Sequence, residues 1–408
     1  MRARLISLSL LLSALPSHSA NLDVTAAYKM RALSYSNLNL DEGSLAARND
    51  HSFITNDARL GVAVRKIALE TRAGEESTLD VAIVLHALGI AGSTTSLSAP
   101  LDRVKEIYPS SDMTPFIENA YVRINRLRGW PVDATFGRQT FRLGGGLLLD
   151  DDGAGLTGVT VKGELPFWAM QLEGFIFNDR NFRQAAPNSL DLFGLSLSLP
   201  SEGTWQLNQL FERARASQLI YGCSFDLPEA SNQQCSVYKA MRSFTSLRYQ
   251  LNYGAMVFEG EAAMQRGAAT PTGPTPARNP ITYNGNAQVV RAKWKQRLYK
   301  TGEGIARVSV ARGSGDNAGT RTTDEAFFPS RGHRYSGLER TGFGEFFAAT
   351  PYDAYGGNYT STTTASGLRD GASGIVAVGI GYTPPAYKGI ALDVDFFLYQ
   401  ADRVRRGS

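Results

Sequence analysis

The sequence predicts an all-β fold, a transmembrane antiparallel β-barrel of about eighteen strands, and three observations carry that prediction. Beyond Asn21, apolar and polar residues alternate with period two in segments longer than the roughly five or six residues of an ordinary globular strand. The connections between these segments run short, then long, which is the layout of a barrel with tight periplasmic turns and larger extracellular loops. After the N-terminal segment no run approaches the roughly eighteen apolar residues of a helical span. The richest, Val81 to Ala91, is shorter and holds His86. Helical spans are therefore excluded, whereas strands that cross a membrane leave no such run.

The elements follow in order. Arg2 and Arg4 precede an apolar run from Leu5 to Leu15, then Pro16, Ser17, Ser19 and Ala20, so residues 1–20 are expected to be a secretory signal peptide rather than a buried helix. Residues 21–408 form the barrel domain. Leu22, Val24, Ala26, Tyr28 and Met30 alternate with Asp23, Thr25, Ala27, Lys29 and Arg31. A second strand covers 53–67, and Leu79, Val81, Ile83, Leu85 and Ala87 mark the third. Further strands are predicted at 115–127, 130–143, 156–165, 167–178, 189–200, 204–213, 242–253, 254–266, 286–300, 302–313, 374–383 and 388–400.

The stretch 314–373 must hold zero or two strands, because the strands before and after it run in opposite directions. With two, about seventeen are visible, and an antiparallel barrel needs an even number to leave no open edge. The chain stops at Asp402 to Ser408 without a terminal aromatic strand, so the last strand is expected to be missing from this chain. Trp130, Trp168 and Trp205 lie beside short turns and are expected in one interfacial ring.

Composition narrows the function classes. Two Cys and four His, with no CxxC or HxxxH pair, exclude a structural zinc site, haem attachment and a disulfide framework. Aromatic content of 10% excludes disorder. The formal charge of +4 is spread without a Lys/Arg block, and loss of the leader would remove two arginines from it, so nucleic acid is not an expected partner. His51, His86 and His333 stand beside no nucleophile motif, and an enzyme is not expected. Cys223 and Cys235 share one long loop in an oxidising compartment and are expected to form a disulfide.

In such a barrel the polar parity of each strand faces the lumen. On 286–300, Arg291, Lys293, Lys295 and Arg297 share the inward parity against Val290, Ala292 and Trp294. The same rule turns Arg59, Arg65, Arg123, Lys162, Arg248 and Arg307 inward, along with Lys29 and Arg31. Arg138 shares its parity with Ala134 and Phe136, yet Phe141 and Leu143 lie on the other, so a bulge is expected to turn it inward. Inward carboxylates such as Asp57, Asp80, Glu173, Glu259, Glu261, Asp393 and Asp395 leave open whether each cation faces solute or an ion pair.

Gly144-Gly145-Gly146, Leu147-Leu148-Leu149 and Asp150-Asp151-Asp152 form a candidate constriction loop. Calcium at the three carboxylates is the alternative, but the alternating ligand spacing of an EF-hand is missing, and no metal or other cofactor is expected.

These pieces resemble a family, the alginate-export-type (AlgE-like) outer-membrane porins. The resemblance rests on Asp57-Ala58-Arg59-Leu60-Gly61-Val62, Glu118 to Ile124, Gly137-Arg138-Gln139 and Gly146 to Asp151. Gly313-Ser314-Gly315-Asp316, Gly332-His333-Arg334-Tyr335 and Gly367-Leu368-Arg369-Asp370 complete it. It implies a monomeric eighteen-stranded barrel in the bacterial outer membrane, with a positively lined pore that passes an acidic polysaccharide.

The expected function is thus a passive, anion-selective channel. Its expected partners are outer-membrane lipid and an anionic small molecule or polysaccharide, with a periplasmic export partner left open. A structural or adhesive barrel with a plugged lumen is the alternative.

Overall fold

The computed structural model describes residues 20–35, 51–69, 77–92, 113–151, 153, 155–166, 169–180, 189–214, 218–219, 236–272, 281–298, 302–315, 323–325, 327, 329–330, 372–388 and 392–404. The expected leader, Trp168, Asp152, Cys223, Cys235 and most of 314–371 lie outside the described residues.

Among the described residues twenty strands follow in chain order. They are β1 (Asn21–Tyr35), β2 (His51–Ala68), β3 (Thr78–Gly92), β4 (Pro115–Asn125), β5 (Val132–Gln139), β6 (Arg142–Leu143) and β7 (Leu149–Asp150). Next come β8 (Leu156–Leu165), β9 (Met170–Arg180), β10 (Ser189–Pro200), β11 (Thr204–Ala214), β12 (Gln218–Leu219), β13 (Ser236–Tyr253) and β14 (Met256–Thr272). The last are β15 (Ile281–Tyr283), β16 (Asn286–Leu298), β17 (Gly302–Gly313), β18 (Thr323–Asp324), β19 (Ala372–Thr383) and β20 (Val394–Val404).

Eighteen of these strands form one sheet, and β6 pairs only with β7. The long strands pair antiparallel with their chain neighbours, from β1–β2 through β19–β20, so each long strand between β1 and β20 meets hydrogen-bonding neighbours on both sides. The eighteen are made up of fifteen strands of eight residues or more and three short pieces, β12, β15 and β18. Between Gly313 and β19 the only strand among the described residues is the two-residue β18, which runs parallel to β15. No pairing joins β1 to β20 among the described residues.

Alternation sets which face each residue takes. On β9, Ile176 is 66% exposed while its neighbours Phe175 and Phe177 are 3% and 1% exposed, so Ile176 faces outward and the two rings face the barrel interior. The outward parity elsewhere carries exposed Leu22, Val24, Leu60, Val122, Val290 and Phe396, the apolar belt a membrane barrel needs. Trp130 and Trp205 are exposed beside the short turns at Leu127–Gly129 and 201–203, and the Trp205 ring packs on Tyr249 with centroids 4.4 Å apart. Trp294 stands opposite Met256, beside the turn at 254–255, and joins the same interfacial end.

Polar parity fails as an inward marker along one wall. Phe175, Phe177, Leu192, Leu210 and Phe244 all point inward and form one buried cluster with Phe141, Leu143, Leu147, Leu148, Leu149 and Phe327. The core of this barrel therefore sits inside the lumen. It is built where residues 140–151 fold back from the end of β5 onto β9, β10, β11 and β13.

Candidate functional site

The inserted loop begins at the end of β5. β6 and β7 make a small hairpin in which Arg142 stands opposite Asp150 and Leu143 opposite Leu149. Arg142 Nε lies 3.1 Å from Asp150 Oδ2, and its Nη2 donates to the Gly145 carbonyl at 2.5 Å. This pairing closes the turn and leaves the three leucines to face the apolar wall, where all are at most 2% exposed. Burying a leucine contributes about 1.5–3 kcal/mol, so the three outweigh any single polar contact of the loop.

Two polar anchors hold the loop against two walls. On the β14 side the Gly145 amide donates to Glu261 Oε2 at 2.8 Å. Glu261 Oε1 accepts from Ser246 Oγ, which accepts from Asn208 Nδ2, and Asn208 Oδ1 accepts from Ser196 Oγ, a chain crossing β14, β13, β11 and β10. Glycine is required here for space as well as conformation. A Cβ on Gly145 would lie 2.7 Å from Glu259 Oε1, and Gly144 adopts φ +61° with its Cβ position 2.5 Å from Glu261 Oε1.

On the opposite arm Asp151 Oδ2 accepts from the Gly155 amide at 3.0 Å, and His86 Nδ1 lies 3.2 Å from the Gly153 carbonyl oxygen. His86 is 3% exposed. Its Nε2 lies 2.8 Å from Asp57 Oδ1 and its Nδ1 lies 2.9 Å from Glu118 Oε2, while Arg59 Nε lies 3.1 Å from the same Glu118 oxygen. Glu118 reaches this cluster because the register of β3 and β4 shifts between Val84 and Leu85. A loop fixed to β2–β4 at one arm and to β14 at the other crosses the lumen.

The predicted cations fall into two groups. Most are engaged with nearby partners: Arg59 with Glu118, Arg65 with Asp23 at 2.9 Å, Arg248 with Glu259 at 2.9 Å, and Arg307 with Asp395 at 2.8 Å. Arg123 donates to Thr135 Oγ1 at 3.1 Å, and Lys162 lies in register between Asp133 and Glu173. Arg291 is 3.9 Å from Glu259. Lys293, Lys295 and Arg297, below it on β16, are exposed on the inward parity and make no ion pair among the described residues. Lys293 stands directly opposite Arg307.

Arg138 requires a correction. It pairs in register with Ala120 and Thr157, in line with outward Val122, Phe136 and Val161, and its Nη1 donates to Thr157 Oγ1 at 3.3 Å. The β5–β8 ladder runs unbroken from Val132 to Gln139, so the bulge expected to turn it inward is absent. Of the acidic triplet, Asp150 faces Arg142 and Asp151 binds the loop backbone. Arg142, His86 and Phe244 belong to the site without having been singled out for it. The signal for Arg142 was its place two residues before the triple glycine, and for Phe244 an aromatic on the same parity as Ser246 and Arg248.

An apolar outer belt, an antiparallel strand wall and a loop folded into the interior define an outer-membrane β-barrel of porin architecture. No protein-family model and no curated protein matches the chain. Among solved structures the fold is similar to Pseudomonas putida OprB, with a TM-score of 0.51 at 10% identity over 94% of this chain and 90% of that one. Vibrio cholerae OmpT, an outer membrane protein in trimer form, gives 0.48 at 9% identity over 94% and 90%. Salmonella typhi OmpF gives 0.46 at 9% identity over 93% and 90%. The chain is accordingly an outer-membrane barrel.

Proposed function

We propose that the barrel is a channel for passive passage of anionic solutes across the outer membrane, with an acidic (uronate) polysaccharide or oligosaccharide as candidate cargo. The observation that carries this reading is the β16 ladder, where Lys293, Lys295 and Arg297 are exposed and make no ion pair among the described residues, with Glu303 opposite Arg297 the one carboxylate in register with them. Alternate residues on a strand are about 6.7 Å apart, which is shorter than the roughly 8 Å screening length at physiological salt. Their potentials overlap into one continuous positive strip that concentrates anions and offers successive charge-assisted hydrogen bonds. Passage needs such sites to be weak and several rather than tight and single, and no catalytic step is involved.

In this reading residues 1–20 direct secretion, and Cys223 and Cys235 close an extracellular loop. Planar-bilayer recording of the full chain in a salt gradient tests the channel assignment. A reversal potential of the sign for anion preference is expected, and cation preference would overturn it.

A second reading, a structural barrel with a plugged lumen, is favoured by the Leu147–Leu149 cluster buried inside the barrel. It predicts no conductance in the same recording.

A further inference from the structure

The outer surface of the wall that anchors the loop carries a feature unrelated to transport. On β14 the outward parity reads Met256, Phe258, Gly260, Ala262 and Met264, all apolar, and then changes to Arg266. Arg266 is ten residues above the foot of the strand, roughly 33 Å along it, and at a tilt of about 40° this is about 25 Å up the barrel axis. That is about the height of the apolar belt, so the guanidinium stands where acyl chains give way to headgroups.

A groove of about 470 Å³ opens there on the outward side, with Leu247, Ala262 and Met264 at its apolar end and Arg266, Asn284 and Gln288 at its polar end. Leu247 and Met264 are 49% and 50% exposed. Arg266 donates through Nη1 to the Gln265 carbonyl and to Asn284 Oδ1 and makes no ion pair among the described residues. Its neighbour Arg312 differs, since Asp402 takes it in a bidentate pair at 2.6 and 3.1 Å. At headgroup level an outward cation costs little by itself, and a phosphate within its reach adds charge-assisted hydrogen bonds.

We propose that this groove seats a phosphate-bearing acylated lipid of the outer leaflet. An acyl chain lies along Leu247, Ala262 and Met264, and the phosphate meets Arg266, with the Asn284 side-chain amide free to donate beside it. Charge complementarity selects lipid over a second copy of the chain. The groove lining contains no acidic side chain, so a self-complementary contact would set Arg266 against another cationic rim.

The test uses the full chain in nanodiscs of phosphatidylethanolamine doped with diphosphoryl lipid A, with lipid retained on release scored by native mass spectrometry. Wild-type protein is expected to retain one lipid A, and to retain its dephosphorylated form at least tenfold less. Arg266→Glu should lower lipid A retention at least tenfold through charge, and Ala262→Phe should lower it by filling the groove. Arg138→Gln, which alters an outward cation on another strand, should leave retention unchanged. Heat-modifiable gel mobility verifies that each variant is folded, and either groove variant alone suffices. Equal retention in the folded groove variants would overturn the proposal, as would equal retention of the dephosphorylated lipid. Two-chain masses without lipid would overturn it in favour of a second copy.

Discussion

Two sets of inward cations on neighbouring strands behave differently. Arg248 on β13 and Arg291 on β16 converge on Glu259 beside the loop anchor, whereas Lys293, Lys295 and Arg297, further down β16, make no ion pair among the described residues, although Arg297 stands in register with Glu303. The difference arises from the inserted loop. Where it docks, the wall supplies Glu261 to receive the Gly145 amide, with Glu259 close beside it, and buried carboxylates need compensating cations. Further down β16, Lys293, Lys295 and Arg297 remain exposed on the inward parity. Pairing is not confined to the loop, since Arg307, opposite Lys293, is held by Asp395 at 2.8 Å.

The largest expected effect breaks the structural set. His86→Ala leaves Asp57 and Glu118 facing one another without the ring that separates them. Removing one partner from such a buried group costs about 3–5 kcal/mol. Thermal unfolding should show a corresponding drop, and single-channel recording should show a noisier, larger conductance as the Gly153 arm comes loose.

Leu148→Ala should cost about 2–5 kcal/mol by opening a cavity in the lumenal cluster. Calorimetry checks the stability, and the reversal potential should not move, since the ladder is untouched. Gly145→Val acts on the same loop by steric overlap with Glu259. Single-channel conductance should rise as the loop is displaced, and unchanged conductance would mean that the loop does not narrow the pore. The smallest effect is at Arg138→Gln. Because Arg138 lies on the outward parity with Thr157, ion selectivity should equal wild type within error.

Much of the wall was legible from alternation alone, because a strand that separates lipid from a wet interior writes both environments into one sequence. β3 is the clearest case, with Ile83 and Leu85 outward and His86 and Leu88 inward. The β16 ladder was legible for the same reason. Arg138 was not, since Phe141 and Leu143 imply a change of parity only if they belong to the same strand. They belong instead to the loop that turns into the lumen, where strand parity no longer applies.

The apolar inward residues Phe175, Phe177, Leu192, Leu210 and Phe244 were hidden by the same event. A lumen is expected to be polar until a piece of chain fills it, and nothing local to those strands announces the partner that will cover them. Which cations are paired was likewise beyond reading, because it depends on strand register, as for Arg65 with Asp23, and on where the loop lands, as for Arg248 beside Glu259.

The proposed anion preference rests on the β16 ladder, and the decisive experiment is the reversal potential of the Lys293→Gln/Lys295→Gln/Arg297→Gln variant. Measured beside wild type in the same salt gradient, it should move clearly toward zero anion preference while conductance persists. A reversal potential identical to wild type would contradict the account, because those three side chains would then not line the path.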